Sequence, residues 1–265
     1  MKIAVLGSRG FIGSNLTNHL SKHHIVSPIS RSIIDLLDPV AVKNYLKEKQ
    51  FDIIINCAAV MTDNLTLHDA RNNLGMFMNF YNNSNLFGKF INTGSGAEFD
   101  RTTNIDNAAE ESLLNYMPSD SYGWGQNIKS RLCLEKNNFY TIRIFNCFGI
   151  GEPPTRIFPR FLSNKSIEIN NDRYFDYFSI HDLSKVVDHC IDNNWIEKDV
   201  NAVYNKKYKI SEVMAKFCDL NNLDYNFTVT SNSEHNYTGS GVRLSTLGID
   251  LNGLDHGLTA YTKKD

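Results

Sequence analysis

The sequence carries no excess of either charge. Its 27 Lys and Arg against 29 Asp and Glu leave a formal net charge of −2. Nothing in that balance draws the chain to nucleic acid or to an anionic membrane. No apolar run approaches the roughly 18 residues of a membrane span. The chain begins Met1-Lys2-Ile3 and enters an apolar run at once, without the pattern of a signal peptide, so a cytoplasmic location is expected. Cysteine is sparse, odd in number and scattered: Cys57, Cys133, Cys147, Cys190 and Cys218, with no C-x-x-C pair. That spacing excludes a disulfide framework and implies reduced structural thiols. The histidines show no ligand spacing, so no metal site is expected. With six prolines and no Pro/Gly/Ser-rich stretch, the sequence lacks an obvious linker.

What remains is a globular chain of 265 residues, 42% hydrophobic, long enough to bury a core without covalent staples. Short apolar runs alternate with helical patterns. Ile3 to Leu6 predicts a strand and Phe11 to Leu20 a helix; Ile25 to Ser30 is a second β-like run, followed by a helix from Pro39 to Gln50. Further strands are predicted over 53–55, 89–93 and 140–144, with helices over 72–83, 122–134 and 182–193. Strands separated by helices of this length imply βαβ units and a parallel sheet covered on both faces. The expected fold is α/β, a Rossmann-type doubly wound parallel sheet with a small C-terminal lobe. Residues 1–150 are assigned to the sheet domain, with 177–195 returning to it. Residues 151–176 and 196–265 are assigned to the lobe, the chain leaving the sheet at Gly151-Glu152-Pro153-Pro154.

Gly7, Gly10 and Gly13 follow the first strand and open the first helix, in the run Gly7-Ser8-Arg9-Gly10-Phe11-Ile12-Gly13. Three glycines also make an ordinary turn. Between a strand and a helix, however, they let a pyrophosphate approach backbone N–H groups at a helix N-terminus. Where an NAD-binding chain ends its second strand with an acidic residue for the ribose 2′-hydroxyl, this one has Ser30-Arg31-Ser32. Arg31, with Arg9 from the glycine loop, suits a 2′-phosphate and favours NADP over NAD; a solvated loop arginine is the alternative reading of Arg31. Ser95 follows a strand and Tyr122 opens a helix. A serine there is ordinarily a turn residue and a helical tyrosine ordinarily core. Their order after a dinucleotide loop suggests a hydroxyl that polarises a carbonyl and a phenol that exchanges its proton.

These motifs resemble the extended short-chain dehydrogenase/reductase family, in the branch of NDP-sugar epimerases, dehydratases and reductases. The resemblance runs nearly end to end. It includes the glycine loop, Asp35-Leu36-Leu37-Asp38, Asn56-Cys57-Ala58-Ala59, Thr93-Gly94-Ser95 and Tyr122-Gly123. It continues through Arg143 to Gly149, Ile180-His181-Asp182-Leu183 and Val203-Tyr204-Asn205. The flavour is that of GDP-fucose synthase and related 4-keto-sugar reductases. The resemblance implies that Ser95 bonds the substrate oxygen and Tyr122 is the acid/base. It also implies that Ala58 and Ala59 line the cofactor cleft and Asn146 sits near the substrate diphosphate. A nucleotide-sugar substrate and a homodimer through the Tyr-bearing helix are expected on the same ground.

The departures are informative. The family motif is Tyr-x-x-x-Lys, and Gln126 stands in place of the lysine. Glutamine keeps hydrogen-bonding capacity but brings no charge. A tyrosine without a cation ionises near pH 10, so about one in a thousand is phenolate at neutral pH. The neutral phenol suits donation to a carbonyl, hence reduction. Lys129 lies roughly 10 Å further along the helix axis and is not expected to stand in. Ala97 and Arg156 occupy positions where the GDP-fucose synthase branch has a catalytic cysteine and histidine, so the epimerising half-reaction is expected to be absent. Arg156 and Arg160 become candidates for the diphosphate, with Arg173 and Arg243 as weaker ones. Asp35, Asp38 and Asp182 are assigned to caps and turns, and Glu98 to an exposed loop.

The reading is an NADP-dependent 4-keto nucleotide-sugar reductase with Ser95, Tyr122 and Gln126 at its centre. Two alternatives stay open: an NAD-dependent 4-epimerase, and a non-catalytic dinucleotide sensor or scaffold marked by Gln126.

Overall fold

The computed structural model describes residues 1–60, 65–195, 197–233 and 235–262. Among them, six strands form one parallel sheet in the order β10-β6-β4-β3-β1-β2. These are β1 (Lys2–Leu6), β2 (Ile25–Ile29), β3 (Ile53–Asn56), β4 (Lys89–Ser95), β6 (Phe139–Ile144) and β10 (Asp199–Ala202). Successive side chains of a strand point to opposite faces, and here both faces are apolar. Ile3, Val5, Ile53, Ile55, Ile91 and Ile142 pack on one side with Leu16 and Leu20 of α1 (Phe11–Leu20) and Leu183, Val186 and Val187 of α6 (Ile180–Asp192). Ala4, Leu6, Ile54 and Phe90 pack on the other with Val42 and Leu46 of α2 (Pro39–Lys49) and Phe77 and Phe80 of α3 (Leu67–Tyr81). The sheet is doubly wound, as the alternation of strands and helices predicts.

Local chemistry sets the helix boundaries. Pro39 starts α2, where the missing N–H costs nothing, and the Asp38 carboxylate accepts from Val40 and Ala41. Helix α3 starts five residues before the periodicity suggests. There the Thr66 hydroxyl and the Asp69 carboxylate form a capping box. Helix α4 (Ser121–Glu135) is capped by Asp120, which accepts from the Gly123 N–H.

The expected division of the chain needs two corrections. Asp199–Ala202, assigned to the lobe, is the edge strand β10 paired with β6. Ile105–Ala108 (β5), assigned to the sheet domain, pairs instead with β12 (Tyr237–Gly239). Further elements build the rest: β7 (Cys147–Phe148) with β9 (Phe178–Ser179), β8 (Ile167–Ile169) with β11 (Phe227–Val229), and helices α5 (Ile157–Asn164), α7 (Ile210–Leu220), α8 (Val242–Thr246) and α9 (Leu254–Ala260). A separate aromatic core of Phe148, Phe158, Phe161 and Phe217 consolidates them. No helix among the described residues is long and apolar enough to cross a membrane.

Candidate active site

The carboxyl ends of β1, β3, β4 and β6 open onto one cavity of about 780 Å³. Its wall brings together Gly10, Phe11, Ile12 and Gly13 of the glycine loop, Ala58 and Ala59 after β3, Ser95 at the end of β4, and Tyr122 and Gln126 of α4. Asn146 and Arg156 also line it. Ligands of open parallel sheets bind in this crevice, where strand order reverses.

The glycine loop is shaped for close approach. Gly7 has φ +71°, and a Cβ there would stand 2.6 Å from the Cys57 carbonyl oxygen. A Cβ on Gly13 would stand 2.3 Å from the Gly7 oxygen. Gly10 is the N-cap of α1 and offers no side-chain cap. The first N–H groups of that helix are therefore left to an incoming acceptor, where the helix dipole favours an anion. Gly7 and Arg9 do not line the cavity. Arg9 instead donates to the Ser32 hydroxyl at 3.1 Å, tying the loop to the segment after β2. Arg31 is exposed beside it.

At the reacting end, Asp120 orders the start of α4 twice. It caps Gly123 and pairs with Arg101 at 2.9 Å, which carries the Arg101 guanidinium over the Tyr122 ring, 5.4 Å from its centroid. Ser95 is held from behind. Its N–H donates to Glu98 at 2.8 Å, and the other oxygen of Glu98 accepts from Arg143 at 2.6 Å. Glu98, expected in an exposed loop, is fully buried, because Arg143 on β6 is buried beneath it. Arg143 also donates to Asp199 and Asn201 of β10.

Several lining residues carry no local sequence motif. Tyr237 reaches the cavity from β12, packed edge-on against Phe145 and stacked on Phe175. Burial pushes its phenol up, with nearby Ser95 acting in the opposite direction. Arg173 lines the cavity with its guanidinium 5.2 Å from the Phe175 ring centroid, and its Nε is buried without a partner. It is thus better placed than the sequence suggested. Arg156 donates to Asn146 at 2.8 Å. Arg160 is excluded from the lining: α5 turns Phe158 and Phe161 inward and leaves Arg160 exposed. Arg243 is excluded too, tied to Asp199 and Glu111. Lys129 does line the cavity, contrary to expectation, and is 2% exposed.

Comparison with known proteins agrees with this architecture. The family model described as NAD dependent epimerase/dehydratase family matches residues 3–205. The chain belongs to that family. A GDP-6-deoxy-D-talose 4-dehydrogenase from Aggregatibacter actinomycetemcomitans is 23% identical over 240 residues, covering 83% of this chain and 80% of that protein. Among solved structures, a GDP-mannoheptose C4 reductase from Campylobacter jejuni with NADP bound superposes with a TM-score of 0.80 at 19% identity, covering 98% of this chain and 96% of that one. A GDP-L-fucose synthetase from Naegleria fowleri bound to NADP gives 0.82 at 16% identity, covering 98% and 91%. The solved structures share this fold over 98% of the chain.

Proposed function

We propose that this member of the epimerase/dehydratase family is an NADP-dependent reductase of a 4-keto nucleoside-diphosphate sugar. One observation carries the reading: a single cavity is lined by the uncapped N-terminus of α1, by Ser95 and Tyr122, and by Arg156 and Arg173. The glycine loop suits a dinucleotide, since side chains at Gly7 or Gly13 would collide with backbone. The N–H groups of Phe11, Ile12 and Gly13 would hold the pyrophosphate, and Arg9 and Arg31 the 2′-phosphate. Bound there, NADPH supplies hydride. The named relatives are a GDP-sugar dehydrogenase, a GDP-sugar reductase and a GDP-sugar synthetase, the last two described with NADP, which supports the same class.

The residues divide the remaining work. The Tyr122 phenol donates its proton to the carbonyl oxygen as that oxygen becomes an alkoxide. Ser95 holds the same oxygen by a hydrogen bond, its backbone fixed from behind by Glu98. Arg156, oriented by Asn146, and Arg173, stacked on Phe175, meet the diphosphate. Neither Ala97 nor Arg156 can shuttle a proton at a sugar carbon, which favours simple reduction over epimerisation.

The test is loss of dihydronicotinamide absorbance with GDP- and dTDP-linked 4-keto-6-deoxy sugars. Turnover abolished by Tyr122→Phe supports the reading. Tight NADPH binding with no turnover on any of them favours the sensor reading instead.

A further inference from the structure

Helix α4 presents three polar side chains to the cavity: Tyr122, Gln126 and Lys129. At about 100° per residue, Gln126 lies roughly 40° to one side of Tyr122 and Lys129 roughly 20° to the other, so all three share one face. The Lys129 Cα is some 10 Å down the axis. Helical side chains lean toward the N-terminus, however, and a lysine stem is long, so its ammonium returns much of that distance toward Gln126.

Two features of this face bear on a ligand. The Gln126 Oε1 is buried and accepts no hydrogen bond. The Lys129 side chain is buried in the cavity wall. Each oxygen of its charged neighbour Glu98 already accepts a hydrogen bond, one from Ser95 and one from Arg143. Burial draws the Lys129 ammonium down to about 8, against the opposing pull of Glu98. An open buried acceptor and an ammonium-bearing side chain in one cavity wall suit a ligand that can donate and accept together. Vicinal hydroxyls do so, each being donor and acceptor at once.

We propose that Lys129 and Gln126 together form the subsite for the nicotinamide ribose hydroxyls, Lys129 supplying from the next turn the cation that residue 126 lacks. This rests on the NADP reading above. It assigns Gln126 the acceptor half and Lys129 the charged half, so the glutamine marks a divided site and not a lost one.

The test compares two ligands by fluorescence and calorimetry: NADPH, and adenosine 2′,5′-bisphosphate, which lacks the nicotinamide ribose. Lys129→Met is expected to weaken NADPH about tenfold or more, as for a lost charged hydrogen bond, and to leave the bisphosphate unchanged. Adding Gln126→Lys to that variant is expected to restore NADPH binding. Should Lys129→Met not fold, Gln126→Ala carries the same comparison with the same expected selectivity. Unchanged NADPH affinity, or equal weakening of both ligands, overturns the proposal. Wild-type protein that binds neither ligand overturns the NADP reading itself, a different result from selective failure at Lys129.

Discussion

Arg143 donates to Glu98 at 2.6 Å with both side chains fully buried, and the second oxygen of that carboxylate takes the Ser95 N–H. A strand in the middle of the sheet thereby fixes the backbone of a residue in the cavity wall. Removing the charge of Glu98 leaves a buried guanidinium partly uncompensated, with Asp199 as its remaining carboxylate. Glu98→Gln is expected to cost about 3 kcal/mol in urea unfolding. It should also lower turnover more than it weakens NADPH binding. A variant as stable as wild type contradicts the arrangement.

Tyr237 lines the same cavity as Ser95, which acts on its phenol. Tyr237→Phe keeps the packing on Phe145 and Phe175 and deletes only the oxygen. Its kcat is expected to fall about tenfold. In a Ser95→Ala background the same change should do almost nothing, because contacting residues couple. Equal effects in both backgrounds would show that Tyr237 acts independently of Ser95.

Arg156, the N-cap of α5, and Arg160 within the helix separate position from charge. Arg156→Ala is expected to raise KM for the nucleotide sugar about tenfold with little change in NADPH affinity. Arg160→Ala should leave both constants near wild type, since that side chain is exposed outside the cavity. Steady-state kinetics on the pair distinguishes a diphosphate contact from general electrostatics.

Glu152 is buried beside Tyr261, whose hydroxyl donates to it at 2.8 Å. Burial pushes its carboxyl up to about 7, against Tyr261 and Arg156. A raised carboxyl pKa means that the folded state prefers the protonated form. Its contribution is complete below the unfolded pKa of about 4.3 and is lost as pH climbs through about 7. Melting temperature should therefore fall between about pH 5 and pH 8 in wild type, and Glu152→Gln should flatten that fall. An unchanged slope in the variant would remove Glu152 as its source.

How much of this was legible in the sequence depends on whether the signal was local. Ile3 to Leu6 followed by Gly7, Gly10 and Gly13 is a local pattern, and strand, turn and helix stand where it predicts. The sequence Asp199-Val200-Asn201-Ala202 resembles a loop because two of its four residues are polar. Those two are strand residues facing the buried Arg143, so the polarity satisfies a charge and not solvent. Glu98 was misjudged for the same reason, its partner lying 45 residues away. Tyr237 and Arg173 reach the cavity through tertiary pairing of β12 and its neighbours, and no spacing within their own segments announces it. Lys129 is far along the helix axis by residue count, yet the N-terminal lean of a helical side chain lets it line the cavity.

The central claim is that hydride passes from NADPH to a sugar carbonyl in this cavity. NADPH deuterated at the transferable position of its nicotinamide, incubated with a 4-keto nucleotide sugar and the protein, tests it most directly by mass spectrometry of the product. The account predicts one deuteron on the sugar, absent with Tyr122→Phe. A product that carries no deuteron from the cofactor, or formed equally well by Tyr122→Phe, would contradict it.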